Sequence, residues 1–163
     1  MRALFRWHGS FLCLLSTCVP AFNQSIAGLV LVTSLNKLNQ PQYAFNASEA
    51  RKLCSSLGLN IASRAQVNTA LSRGMETCRF GWVDEHFVVI PRIQPLANCG
   101  QNKRGLVMWR VDVTQKFDVF CFNESGEKLC ISIQFLHNGD GTGRCSVHAL
   151  YTGHKSSSCK TAK

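Results

Sequence analysis

Cysteine is the residue that most limits how this chain can fold. Nine occur in 163 residues, and seven of them, Cys54, Cys78, Cys99, Cys121, Cys130, Cys145 and Cys159, lie beyond the first 21 positions. Those first positions have the form of a secretory leader: basic Arg2 and Arg6, an apolar run from Phe11 to Val19, and small residues at Val19-Pro-Ala21. The run is roughly half of the ~20 apolar residues that a membrane span needs. Residues 1–21 are therefore expected to be a signal peptide, and the remaining chain is expected to be secreted or extracellular. In that oxidising compartment cysteines pair, and an odd number leaves at least one without an intramolecular partner. Three Asn-x-Ser triplets, at Asn23, Asn46 and Asn123, are candidate glycosylation sites for the same compartment.

Length and charge narrow the rest. The chain has room for one ordinary domain with appendages, not for two catalytic domains. At 45% apolar and 17% charged residues it is too apolar to stay unfolded. A formal charge of +9 points to an anionic partner: nucleic acid, anionic lipid or acidic polysaccharide.

Local patterns place the elements. Ile26 to Val32 is apolar and β-branched and reads as a strand. Asn46-Ala-Ser-Glu49 has the form of a helix start, and Ala50, Leu53, Cys54 and Leu57 recur at helical spacing, which predicts a helix over about 47–57. Ser63-Arg-Ala-Gln66 repeats the capping pattern before Val67, Ala70 and Leu71, with Gly74 beyond, and predicts a second helix. Phe87 to Ile90, Leu106 to Val111, Val119 to Phe122 and Ile131 to Leu136 read as strands, so the class is α+β. Asn98 to Gly105 is polar and glycine-flanked and reads as a surface loop showing Lys103 and Arg104. From about residue 137 the chain is Gly-, Ser-, Lys- and His-rich, and residues 131–163 are expected to form an atypical, mobile tail.

Cys54, Ala70, Gly74, Cys78, Gly81, Pro91 and Cys99 form a frame of fixed gaps, joined by Glu76-Thr-Cys-Arg-Phe-Gly-Trp82 and Cys121-Phe-Asn123. Gly81-Trp-Val83, Phe87-Val-Val-Ile90, Cys99-Gly-x-Asn102 and Trp109-x-Val111 extend it. This pattern resembles the Link module, from about Ile26 to Cys130. The resemblance implies a C-type-lectin-like fold of two helices and two small antiparallel sheets, the bridges Cys54–Cys121 and Cys78–Cys99, and a non-enzymatic, cofactor-free binder of hyaluronan. A further cysteine, which in the family's receptors precedes the first strand and pairs with the equivalent of Cys130, is replaced here by the region of Gln24 and Ser25. Cys18, Cys145 and Cys159 are the alternatives for Cys130.

Hyaluronan carries one carboxylate per disaccharide and apolar sugar faces, so its recognition calls for cations or amides beside flat apolar surfaces. By resemblance Arg79 and Phe80 fall on a contact pair and Tyr43 on a second aromatic contact, while Gln42 stands where a family receptor has arginine. Asn102 matches a binding asparagine. Asn98, Lys103 and Arg104 share its loop, and Arg110 is a further candidate. Trp82 and Trp109 read as core, and Arg92 as structural. On this reading Arg79→Ala weakens capture and leaves thermal unfolding nearly unchanged.

Three rival functions have weaker support. Asp84-Glu85 is the only adjacent acid pair, and neighbours in sequence rarely flank one glycosidic bond. Cys145, His148, His154 and Cys159 are zinc-type residues, but in a polar tail. No aromatic-basic strand signature of an RNA module is present, so nucleic acid is not the expected partner. Sulfated glycosaminoglycans such as heparin and chondroitin remain alternatives to hyaluronan.

Overall fold

The computed structural model of the chain describes residues 22–38, 40–125, 128–137 and 143–152. The expected signal peptide and the end of the tail, with His154 and Cys159, lie outside the described residues. In chain order the elements are β1 (Phe22–Gln24), β2 (Leu29–Val32), β3 (Ser34–Leu35), β4 (Pro41–Gln42), α1 (Ala47–Ser56), β5 (Asn60–Ile61) and α2 (Arg64–Ser72). There follow β6 (Gly81–Trp82), β7 (Val88–Arg92), a single 3-10 turn at Gly100–Asn102, β8 (Gly105–Trp109), β9 (Asp118–Phe122), β10 (Lys128–His137) and β11 (Gly143–Thr152).

Both helices start where the side chains dictate. The Asn46 amide oxygen accepts from the Glu49 N–H at 2.9 Å while Glu49 Oε2 accepts from the Asn46 N–H at 3.0 Å, a reciprocal capping box. Ser63 and Gln66 repeat it for α2.

The central sheet runs β2-β9-β6-β7-β8, with β5 also on β9. Its neighbours are antiparallel except for β6 and β9, which are parallel, with Gly81 opposite Asp118 and Trp82 opposite Val119. Because successive side chains alternate between faces, the sheet feeds two cores. Val30, Val32, Trp82, Val88, Val119 and Cys121 pack with Ala50 and Cys54 of α1. Leu29, Val83, Val89 and Phe120 pack with Val67 and Ala70 of α2. Position 81 takes glycine for a steric reason: a Cβ there would stand 2.8 Å from the Phe120 ring.

Among the described residues, Cys54–Cys121 ties α1 to β9 with Cα atoms 5.5 Å apart, and Cys78–Cys99 is bridged with Cα atoms 5.3 Å apart. A second, three-stranded sheet has the order β1-β10-β11. The expected strand over Ile131 to Leu136 lies within β10. Within the stretch read as tail from about 137, residues 143–152 form β11 and pair with 128–137 along their whole length. Apolar Val147, Ala149 and Tyr151 recur there at strand period among residues whose overall composition reads as a tail.

Register also bears on the odd cysteine. Gln24 on β1 stands opposite Cys130. On the other side Cys130 faces Leu150, and Cys145 faces Phe135, five positions along β10. At ~3.4 Å per residue this separates Cys130 from Cys145 by about 17 Å, beyond the reach of a disulfide.

Candidate functional site

The parallel pairing of β6 with β9 sets the site. It carries Arg79 and Phe80, just before β6, alongside Phe117 and Asp118 at the start of β9, where the Asp118 N–H donates to the Phe80 carbonyl at 3.2 Å. The Phe45–Phe117 bridge then draws the segment before α1 onto the same end of the sheet. Trp82, fully buried as read from the sequence, pins that segment by donating its indole N–H to the Phe45 carbonyl at 2.8 Å.

Four aromatic rings, those of Tyr43, Phe80, Trp82 and Trp109, gather there around buried Phe117. Tyr43 lies 5.2 Å from Phe117 between centroids, and Phe80 and Trp109 lie 6.5 and 6.0 Å from it. Phe80 and Trp109 meet edge to face at 5.8 Å. Trp109 corrects its sequence reading as core: it is 52% exposed, because β8 is the edge strand of the sheet, with Trp109 paired to Val88 on one side and, among the described residues, no strand on the other. Tyr43 is 40% exposed, so two rings reach solvent beside buried Phe117.

Arg79 lies on this shelf. Its Cζ stands 4.3 Å from the Tyr43 ring centroid, a cation–π stack, and the Tyr43 hydroxyl accepts from the Phe80 N–H at 3.1 Å. From the other side Arg79 is forked onto Asp118: Nε donates to Oδ2, and Nη2 donates to Oδ1 at 3.0 Å. Asp118 is fully buried and also accepts from the Thr33 hydroxyl at 3.0 Å. Burial pushes the Asp118 carboxyl above the usual carboxylate range, and the bonds from Arg79 and Thr33 only partly offset it. The bond to Asp118 raises the Arg79 guanidinium in turn. Arg79 is thus a structural ion-pair member as well as a surface cation, which the sequence reading missed.

Cys78–Cys99 holds the 98–104 loop next to Arg79. The loop turns tightly, with positive φ at Gly100, Gln101 and Asn102. Asn98, Asn102, Lys103 and Arg104 are exposed on it, and Arg110 is exposed directly after Trp109. Among the described residues their side chains form no ion pair. The structure therefore brings Tyr43, Arg79 and Phe80 into contact, and leaves the four loop residues as neighbours through the bridge. Beneath the loop, Arg92 is buried and donates to the Thr77 and Gln94 carbonyls at 3.0 and 2.8 Å, with Glu76 also 2.8 Å away, the structural role read for it.

The remaining candidates serve the fold. Asp84 pairs with Arg51, and both Glu85 carboxylate oxygens accept from the Arg64 N–H at 3.0 Å at the start of α2. Asn46 is the cap of α1. Asn123 is 5% exposed, and its amide oxygen accepts from the Ser125 N–H and hydroxyl, so in the folded domain this sequon forms a turn. Asn23 lies on β1.

Residues 32–122 match the extracellular link domain family. The chain is 42% identical over 111 residues to lymphatic vessel endothelial hyaluronic acid receptor 1 of Mus musculus, which covers 68% of this chain and 31% of that receptor. It is 34% identical over 141 residues to the CD44 antigen of Homo sapiens, covering 82% of this chain and 18% of that protein. With the CD44 antigen of Rattus norvegicus the identity is 38% over 99 residues, 60% of this chain and 20% of the relative. The chain thus spans less than a third of the length of these relatives.

Proposed function

The chain belongs to the extracellular Link domain family, and on that premise we propose that it binds hyaluronan on the shelf of Tyr43, Arg79, Phe80 and Trp109, without catalysis. One observation carries this reading: Arg79 over partly exposed Tyr43, beside the Phe80–Trp109 pair, puts directed donors and solvent-exposed aromatic rings on one surface. Sugar rings lay their C–H faces on such aromatics, and carboxylate and hydroxyl oxygens accept from guanidinium and amide donors. Asn98 and Asn102 extend the donors, while Lys103, Arg104 and Arg110 attract the polyanion from a distance.

The engagement of Asp84 with Arg51 and of Glu85 with the α2 terminus supports binding rather than hydrolysis, which needs two carboxylates facing across a sugar. The leader form of residues 1–21 supports an extracellular site of action. No helix among the described residues is long and apolar enough to cross a membrane. Several copies along one polymer would convert modest single-site affinity into firm attachment.

The test is retention of hyaluronan of defined size by immobilised protein at physiological salt. The expected result is capture with the eluted polymer at its original length. Shortened polymer would contradict the non-catalytic reading. Capture of heparin with none of hyaluronan would favour the second reading, a sulfated glycosaminoglycan held by the exposed cations Lys103, Arg104 and Arg110.

A further inference from the structure

We propose that Asp118 is a positioning and specificity-determining residue of the glycan site: by clamping Arg79 from within and cancelling its charge, it makes recognition there depend on directed hydrogen bonds and sets the shelf against polymers of higher charge density. The inference rests on the reading of the shelf as a glycan site, and concerns how that site chooses among acidic polymers.

The geometry carries it. A guanidinium has five N–H donors in one plane. Asp118 takes two of them along one edge, Nε and Nη2, and the Tyr43 ring centroid lies 4.3 Å from Cζ. The acid is itself fixed, since it is fully buried, accepts from Thr33, and bonds through its own N–H to the Phe80 carbonyl. The three remaining N–H groups of Arg79 are thereby held in one orientation before any ligand arrives. That rotamer freedom is not lost again on binding, the usual gain from preorganisation.

The charge consequence is separate. Arg79 and Asp118 sum to zero, so the centre of the shelf offers a polyanion oriented donors and ring faces but little net attraction. Exposed Lys103, Arg104 and Arg110 act differently, attracting any polyanion in proportion to its charge and in a manner that salt screens. A sparsely charged carboxylate polymer with accessible sugar faces gains most from the shelf. A densely sulfated polymer gains mainly from the flanking cations. Asp118 therefore tilts the site toward the former.

Asp118→Asn tests this with little change in volume, leaving one acceptor for Arg79 and releasing its charge. Burial already disfavours the Asp118 carboxylate, which helps the neutral amide to be accommodated. In the full-length protein at about 0.15 M salt, the variant is expected to bind hyaluronan oligosaccharide roughly tenfold more weakly. Heparin should bind it several-fold more tightly, with a steeper salt dependence. Arg79→Lys, which keeps the charge but not the fork, is expected to lose roughly tenfold for hyaluronan. Nitrogen-resolved NMR supplies a readout that needs no ligand: the Arg79 Nε–H should exchange slowly in the wild type and quickly in Asp118→Asn. If that variant does not fold, Thr33→Val loosens the same acid, with the same directions of change in exchange and in glycan preference expected.

Unchanged affinity for both glycans in Asp118→Asn, or a freely exchanging Arg79 Nε–H in the wild type, would overturn the proposal. So would wild-type hyaluronan affinity in Arg79→Lys. A wild type that ignores hyaluronan, yet protects the Nε–H and gains heparin affinity on Asp118→Asn, would retire the hyaluronan reading and support the role of Asp118.

Discussion

Alanine in place of Arg79 is expected to lower the stability of the folded chain by about 3 kcal/mol, because removing one member of a buried ion pair strands the other. For a domain of about 100 residues this corresponds to a fall in Tm on the order of 10–20 °C. The stranded group is Asp118, with no exposed surface, left with the Thr33 hydroxyl as a side-chain donor. The same change removes the cation from the Tyr43 ring and the donors from the shelf, so glycan capture falls too. Thermal unfolding of Arg79→Ala beside Arg79→Ala/Asp118→Ala checks the cause: the double variant should recover part of the loss, since it no longer buries an unpaired carboxylate. A single variant melting within a few degrees of wild type would show that the pair contributes little.

The second large effect concerns Cys54–Cys121. These cysteines are 67 positions apart in sequence, and opening so long a loop in the unfolded chain removes about 4 kcal/mol in the chain-entropy account, against about 3 kcal/mol for Cys78–Cys99, which spans 21 positions. Against the 5–15 kcal/mol typical of a whole domain, either is a large share. The outer bridge has a further consequence, since both its cysteines are fully buried and join α1 to the central strand β9. Replacing Cys54 and Cys121 by alanine should therefore shift the urea midpoint further than replacing Cys78 and Cys99. The reverse order, or no shift for the outer pair, would contradict this account.

What is legible in the amino-acid sequence is local. Asn46–Glu49 and Ser63–Gln66 mark the helix starts because a capping box is complete within four residues. The cysteine frame likewise carries its family resemblance in fixed gaps. The shelf is assembled differently. Tyr43, Arg79, Trp109 and Asp118 come from four separate segments, and their meeting depends on the parallel β6–β9 pairing, which no short motif encodes. Trp109 inside a strand-like run looks like core unless β8 is known to be an edge strand. Asp118 looks like an ordinary strand-end acid until Arg79 and Thr33 are found against it. In β11 the composition of the segment hid an alternation that its pairing with β10 makes plain.

Trp109 offers the most direct test that the aromatic shelf is where the sugar lies. Its ring is half exposed and touches the cluster at its rim, so truncation removes binding surface with little change to the core. Calorimetric titration of Trp109→Ala with a hyaluronan oligosaccharide is expected to give at least roughly tenfold weaker binding, the loss of one stacked ring, with thermal unfolding within a few degrees of wild type. Wild-type affinity in a folded Trp109→Ala protein would place the sugar elsewhere on the molecule.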